Sequence, residues 1–502
     1  MSLPASISTS PARPMGSLER FMKAIADGGA PLNREHWIIS LAFHVAFEPS
    51  VTAPELHLQR AWQATRLQYP ALAAVLRSGP LGEPELTIEP DNEEAAAWTS
   101  NTFTTHDNSK DADELFSELR PTAHATCHWI PSAAQLMIRS SHWRIDGVGM
   151  LMLGHSFMTA LANVLHFGLD APLSSYAITK STQSPLGSHV ETVARSLAQR
   201  PQTEGRAQGQ RHAIPTQVAA VADDIIAKYT GGFPSIALPT REGSETTLPG
   251  ATSRVAMGFD VPTTSKVVTG CRMMGVTVTS AVHAAIVRVA ADFPQHPLAK
   301  SYAAFGPADL RRVIYEQDMD ADVGPMGLFH LGLPICIEDV VSSSSGGAVK
   351  SFRTVARELQ AVYGQDLVNF WDPADGSGAM VSLLDLVEAN PRRTQELFAA
   401  LLPPGLPPMQ SPDLSSLGKI ERYIQSEYGV GTGAGQGKVE VLDVWLGLDV
   451  LTRALQFHVW SWKGELRIAA CFNRSFYEGA FVTDVIGKVR EELLAGTSVY
   501  IA

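Results

Sequence analysis

The sequence predicts an α/β protein built as two similar halves. Three observations carry that reading. The chain has 502 residues, more than one hydrophobic core ordinarily serves, and two units of about 200–250 residues each suit that length. Strand-like and helix-like segments alternate on both sides of a long, poorly apolar region from Gln183 to Pro249. Within that region, Arg200 to Gln217 and Thr230 to Gly250 are dense in Gly, Pro, Gln and Thr, which marks a crossover between halves. The expected division is 1–210 for the first half, 211–250 for the crossover and 251–502 for the second half.

Element by element, Ser17 to Asp27 (SLERFMKAIAD) predicts a first helix, with Ser17 offering the capping oxygen and Glu19 in the first turn. Trp37 to Phe47 is strand-like. Pro54 to Tyr69 predicts a helix with Leu56, Leu58, Ala61 and Leu67 among its apolar positions, and Pro70 to Arg77 leads into another extended segment. Leu136 to His142 reads as a strand and Gly147 to Leu165 as a helix. The crossover is interrupted by a helical Val218 to Tyr229. The second half opens with strand Val255 to Asp260, helix Pro262 to Arg272 and a strongly apolar helix, Thr277 to Ala291. Ser301 to Phe305 and Gly327 to Ile337 are strand-like, separated by a charged loop. Ser342 to Gly347 (SSSSGG) and Leu401 to Pro408 (LLPPGLPP) read as connectors. Strand Ala454 to Trp462, turn Lys463-Gly464 and strand Glu465 to Phe472 predict a hairpin, followed by helix Ala480 to Leu494.

Composition narrows the function. Hydrophobic residues make up 45% of the chain and charged residues 18%, an ordinary globular balance. A net charge of −12 leaves no global basic field to gather nucleic acid or an anionic membrane, so an anionic substrate needs a local basic patch. The four cysteines (Cys127, Cys271, Cys336, Cys471) are scattered without a CxxC pair, which suits a reducing compartment better than a metal site or a disulfide framework. Met1 to Gly16 has no long apolar stretch of the secretory kind, and no run of about 18 apolar residues is seen that would span a bilayer. The expectation is a soluble, cytoplasmic protein acting as a monomer, without nucleic acid and without an integral membrane segment.

The most informative stretch is His142-Trp143-Arg144-Ile145-Asp146-Gly147. A histidine four residues before an aspartate is a weak signal by itself, since His166 and Asp170 repeat it at a helix end, with Ala171 following. Requiring the next residue to be glycine leaves His142 alone. The bland reading is a polar strand end that caps a helix. The chemical reading is a general base for acyl transfer, held rigidly yet exposed where a strand feeds a helix. Neutral imidazole is suited to taking a proton near pH 7.

Three lookalikes are weaker. Gly154-His155-Ser156 imitates a hydrolase nucleophile elbow, but Met158 stands where the second glycine is needed and the segment lies inside a helix. Gly429 to Ala434 imitates a dinucleotide fingerprint, yet the helix-like IERYIQSEY precedes it where a strand is required. His283, in an apolar helix, reads as a packed core histidine.

SSHWRIDGVGMLMLGHSF resembles the HxxxDG signature of the CoA-dependent acyltransferase superfamily, which includes BAHD enzymes, chloramphenicol acetyltransferase, condensation domains and carnitine acyltransferases. GSLERFMKAI with the later LQYPALAAVLR, TVTSAVHAAIVRVA with SYAAFGPADLRR, and WKGELRIAACFNRSFYEGAFV are similar to other family regions in the same order, so the likeness covers nearly the whole chain. Fungal secondary-metabolite O-acetyltransferases of the trichothecene 15-O-acetyltransferase type are the nearest likeness within it. Two features depart from relatives. Ser141 stands where condensation domains carry a second histidine, and the BAHD Asp-Phe-Gly-Trp-Gly motif is absent, with the glycine-rich Gly429 to Gly437 roughly in its place.

The resemblance implies two chloramphenicol-acetyltransferase-like halves with mixed, largely antiparallel sheets and an active-site tunnel between them. It implies His142 as general base in mid-tunnel, no acyl-enzyme, and acetyl-CoA or another acyl-CoA as co-substrate, with no metal. Asp146 is expected to turn away from substrate and pair with an arginine, Arg311 or, one register away, Arg312. Gly147 is expected to keep a side chain out of the channel. Lys266 and Arg272 are candidates for the CoA phosphates, against the simpler reading of solvated surface charge. Backbone N–H groups near Gly147 can help polarise the site. The implied activity is O-acylation, foremost acetylation, of a hydroxyl on a hydrophobic terpenoid or polyketide-like alcohol. Two rivals stand beside it: a condensation-type domain forming an amide or ester from a carrier-bound acyl group, and a non-catalytic interaction module.

Overall fold

In the computed structural model, residues 11–80, 82–88, 94–176, 186, 189–199, 215–317, 323–341, 348–371, 380–400, 405–430 and 437–498 are described. The alternating apolar runs form strands and the amphipathic runs form helices, gathered around two main sheets. The first sheet has six strands, in the order Glu427–Tyr428, Val439–Leu448, Ile39–Phe47, Gln135–Ser140, Thr126–Ile130 and Phe103–Thr105. Its neighbours are antiparallel except for the last pair, which is parallel. The second sheet runs Asp413–Lys419, Gln456–Trp462, Glu465–Asn473, Thr252–Gly258, with only its first pair parallel. Tyr302–Asp309 and His330–Ile337 form a separate antiparallel ribbon. The class is therefore the expected one, α/β with mixed, largely antiparallel sheets.

The two sheets are interlocked by late strands that join early ones. Val439 pairs with Phe47 and Leu448 with Ile39, so residues after the crossover complete the first sheet. The hydrophobic core is correspondingly in two clusters. One holds Leu41, Phe43, Trp62 and Phe157 together with Val441 and Trp445; the other holds Ile286, Phe329, Phe457 and Ile486.

The helix Gly147–Phe167 lies on the first sheet and against the helix Pro54–Gln68. Gly154 makes that approach possible: a Cβ there would come within 2.6 Å of Leu41 Cδ2 and 2.7 Å of the Phe43 ring. By length and composition alone this helix is apolar enough to cross a membrane, which the run-length reading did not anticipate. Its apolar character is used in packing, with 67% of the most apolar window buried inside the protein.

Several local expectations are corrected. The first helix is Ser17–Asp27, but Gly16 occupies the cap position, and its N–H donates to Glu19 Oε2 at 2.8 Å. Leu56 and Leu67 are each 48% exposed, because the buried stripe of their helix runs through Leu58, Ala61 and Trp62. The charged loop after Phe305 contains the helix Leu310–Gln317. IERYIQSEY is not a helix but a one-turn Ile420–Arg422 followed by the short strand Glu427–Tyr428. Val190–Gln199 is a helix that the poorly apolar reading of the crossover passed over. The connector Ser342 to Gly347, residues 401–404 of the second connector, residues 431–436 of the glycine-rich segment and most of Arg200 to Gln217 lie outside the described residues.

Candidate active site

The site begins where the strand Gln135–Ser140 ends. The chain turns tightly, Arg144 N–H donating to Ser141 O at 3.1 Å and Ile145 N–H to His142 O at 3.3 Å, and the helix starts at Gly147. A buried side chain of the turn ties it to its surroundings. Arg144 donates to the carbonyls of Ala74 and Ala123, both at 2.6 Å, and its guanidinium stacks over Trp143 at 4.1 Å. Burial pushes its pKa down to about 10.

Asp146 caps the helix and ties the two halves together. Its Oδ1 accepts from Gly149 N–H at 2.7 Å, as an N-cap carboxylate does. Arg311 Nη1 donates to Oδ1 at 3.0 Å and to Oδ2 at 2.9 Å, and Phe329 N–H donates to Oδ2 at 2.7 Å. Burial by itself would raise the acid's pKa, yet the adjacent Arg311 and these hydrogen bonds hold it below the usual carboxylate range. Of the two neighbouring arginines, Arg311 is 3% exposed and lies inward, over the Phe329 ring at 4.8 Å; Arg312 is exposed. None of these Asp146 contacts is to His142.

His142 lines a cavity of 540 Å³ that draws residues from both halves. Its Nδ1 is enclosed and has no hydrogen-bond partner among the described residues, which leaves Nε2 as the nitrogen for a substrate. Burial lowers its pKa, so the ring is neutral at pH 7. Beside it stands His330, with ring centroids 5.3 Å apart, and burial takes this second imidazole down to about 4. His36, stacked on Trp37 at 4.7 Å, accepts from Leu451 N–H through Nδ1 at 3.0 Å and is also held near 4 by burial. Ser141 donates to Glu35 Oε2 at 3.0 Å, and burial pushes this carboxyl up to about 7.

The second sheet supplies another part of the lining. Asp413 and His458 line the same cavity from adjacent strands of the second sheet. Burial raises Asp413 to about 7, and His458 is held near 3 by burial, with neither ring nitrogen bonded. Sequence reading missed His330, Asp413 and His458. Each stands on a different strand with no local motif to mark it, and only the fold brings them together.

The remaining candidates separate. Gly147 lines the cavity, but a Cβ there would meet only Leu417 at 3.5 Å and Leu446 at 3.9 Å, ordinary contacts. Gly149 is the crowded position: a Cβ would fall 2.3 Å from Pro325 O and 3.2 Å from Arg311 Nη2. Lys266 and Arg272 are exposed on the helix Val261–Met274 and do not line the cavity. Among the described residues, Arg311 is the one Lys or Arg on the cavity wall, and Asp146 engages it. His155 and Ser156, the elbow lookalike, bond the hydroxyls of Tyr428, on the short edge strand, and Tyr69, at the end of the neighbouring helix. His283 is fully buried between the Tyr363 and Tyr302 hydroxyls, each at 2.7 Å. Among the described residues no group of three His, Cys, Asp or Glu is placed to hold a metal.

No family model matches the chain. It is 30% identical, over 96% of its own length and 94% of the relative's, to "Loline biosynthesis cluster 1 transcription factor lolU1" of Epichloe uncinata. It is 25% identical to "Acetyltransferase pigO" of Monascus ruber, over 96% of this chain and 95% of that one. Among solved structures it superposes on the trichothecene 15-O-acetyltransferase of Fusarium sporotrichioides with a TM-score of 0.70 and 14% identity, covering 97% of this chain and 95% of that one. The relationship to the Epichloe and Monascus proteins over nearly the whole length places the chain in their family, as a fungal secondary-metabolism type of acyltransferase that shares the fold of the trichothecene 15-O-acetyltransferase.

Proposed function

We propose that the protein transfers an acyl group, acetyl foremost, from acyl-CoA to a hydroxyl on an apolar small molecule, with His142 as general base. The observation that carries this reading is the neutral imidazole of His142 on the wall of a largely apolar cavity between the halves, its Nδ1 side closed off. The acceptor hydroxyl passes its proton to His142 Nε2 as its oxygen bonds to the thioester carbonyl carbon. The carbon–sulfur bond then breaks, and the proton on His142 goes to the departing thiolate. No acyl group is carried on the protein. Backbone N–H groups of the first helical turn at Gly147 and Val148, both on the cavity wall, favour the negative oxygen formed on the way. Asp146 does not touch the reacting atoms in this scheme; it holds the turn that presents His142.

Two other readings are weighed against this one. A carrier-bound acyl donor would suit the condensation-type relatives of this fold, but Ser141, bonded to Glu35, replaces their second histidine. A transcriptional role, which the Epichloe relative's name carries, has the net charge of −12 against it, since binding duplex DNA depends on neutralising phosphates with lysine and arginine.

The test is to incubate the protein with acetyl-CoA and a panel of terpenoid and polyketide alcohols, following free thiol and the mass of the product. Thiol release that requires both the acceptor and the protein is expected. If no acyl-CoA gives acceptor-dependent release, while a salt-sensitive mobility shift appears with promoter DNA, the transfer reading falls and the transcriptional one takes its place.

A further inference from the structure

The cavity has a feature that general acyl transfer does not require. Asp413 opens the strand Asp413–Lys419 and faces the cavity, and its carboxyl takes no hydrogen bond or ion pair from any described residue. His458, on the neighbouring strand, is 0% exposed and keeps both ring nitrogens without a partner. Gln456, which pairs with Asp413 in register, lines the same wall. Asp413 is half-buried, with its carboxyl open to the cavity and no cation beside it, while the fully buried imidazole of His458, with neither nitrogen bonded, costs free energy unless a ligand completes it.

We propose that Asp413, with His458 and Gln456 beside it, forms an ammonium-binding subsite, and that the natural acceptor is a hydroxyl-bearing amine whose protonated nitrogen pairs with Asp413 while its hydroxyl reaches His142. This rests on the reading of the cavity as the acyl-transfer site and adds the substrate class. Charge selects the acceptor rather than the donor for this wall. The phosphates of CoA are anionic, and Arg311, the one Lys or Arg side chain on the wall among the described residues, is already engaged by Asp146. The surroundings also suit an alkylammonium. Tyr229 and Phe305, stacked at 4.1 Å, line the cavity and present aromatic surface, which attracts organic cations.

The wall is built to stay in place. Tyr302 donates to Pro412 O at 2.6 Å, immediately before Asp413. With its proton committed there, Tyr302 accepts from His283 Nε2, and His283 Nδ1 accepts from the Tyr363 hydroxyl. The titratable groups around Asp413 are the phenols of Tyr229, Tyr302 and Tyr363, all pushed upward chiefly by burial, and His458 on the neighbouring strand, held near 3, with His283, also near 3, behind the phenols of Tyr302 and Tyr363. Of these groups, only Asp413 titrates near neutrality, at about 7 in the free protein. An ammonium needs the ionised acid, so its binding weakens as the pH falls below about 7.

In the transfer itself the amine stays protonated and is a handle, not the nucleophile. The hydroxyl oxygen forms the new bond to the carbonyl carbon, the carbon–sulfur bond breaks, and the hydroxyl proton leaves on the thiol by way of His142.

The experiment compares a hydroxyl-bearing tertiary amine with its neutral carbon isostere, by calorimetric binding and by thiol release, in the wild type and in Asp413→Asn. The asparagine keeps the size and removes the charge. The wild type is expected to prefer the amine by about 100-fold at pH 8, and the preference is expected to fall toward unity in Asp413→Asn. It should also shrink in the wild type between pH 8 and pH 5.5, a readout that does not depend on the variant folding. Equal affinity for the two acceptors in the wild type, or a preference that survives in a folded Asp413→Asn, overturns the subsite. If the amine binds the wild type and not the variant, yet no acyl-CoA ever yields thiol, the subsite stands and the transfer reading fails.

Discussion

Replacing Asp146 by asparagine should damage the fold before it damages the chemistry. Asp146 and Arg311 are each 3% exposed, and the carboxylate collects four hydrogen bonds, from Gly149, from Phe329 and twice from Arg311 Nη1. An asparagine can keep the helix cap through its carbonyl, but its amide must then point donors at either the Phe329 N–H or the guanidinium. The charge is lost as well. With charge centres about 4 Å apart and an effective dielectric near 20, the attraction forgone is about 4 kcal/mol, and stranding one partner of a buried pair costs about 3–5 kcal/mol. Urea unfolding followed by tryptophan fluorescence should therefore show a loss of about 3–5 kcal/mol, with activity falling alongside. The acid limb gives a second reading. The folded pKa of Asp146 lies below its unfolded value, so its contribution is complete above about pH 4 and disappears as the pH falls through the folded value. The variant should lack that part of the acid dependence. An Asp146→Asn protein with wild-type unfolding and no activity would refute the reasoning and make the aspartate a participant in the chemistry.

Other outcomes follow from the same geometry. Gly149→Ala should destabilise the protein by about 1–3 kcal/mol through the clash with Pro325 O and Arg311 Nη2, whereas Gly147→Ala should fold normally; thermal melts of the two separate them. Because burial lowers the pKa of His142, kcat with a neutral acceptor should rise with pH only below about 6.5 and be level above it, and a limb above pH 7 would contradict a buried neutral base. Lys266→Ala and Arg272→Ala should each leave the KM for acyl-CoA within about two-fold of wild type, since both side chains stand on the outer surface away from the cavity; a ten-fold rise, about 1.4 kcal/mol, would bring the phosphates to that helix.

What could be read from the chain was local in sequence. The hairpin at Lys463-Gly464 is a case: alternating runs flank a two-residue turn, and both turn residues take positive φ, 49° and 80°, as the twist of such a hairpin demands. The His142, Asp146 and Gly147 spacing is likewise a short-range signal, and Asp146 and Arg311 meet although 165 positions apart, which the likeness of whole segments to a known family anticipated. What could not be read depends on distant pairing. Nothing near Val439–Leu448 says that it will lie beside Ile39–Phe47 rather than among its sequence neighbours. His330, Asp413 and His458 lie on three different strands with no local motif to mark them, indistinguishable from surface positions until two sheets and a ribbon close around one cavity. Leu56 and Leu67 show the converse, since apolar periodicity marked them for a core that their helix turns toward with other residues.

The central claim is that His142 takes the acceptor's proton, and the direct measurement is acceptor-dependent thiol release by His142→Ala against wild type, with folding checked by the same urea unfolding curve. His142 makes no hydrogen bond through Nδ1 to another residue, so its removal should leave stability nearly unchanged. A folded variant slowed by about 10²–10⁴-fold in kcat is the predicted result. A folded His142→Ala protein that turns over at the wild-type rate contradicts the account.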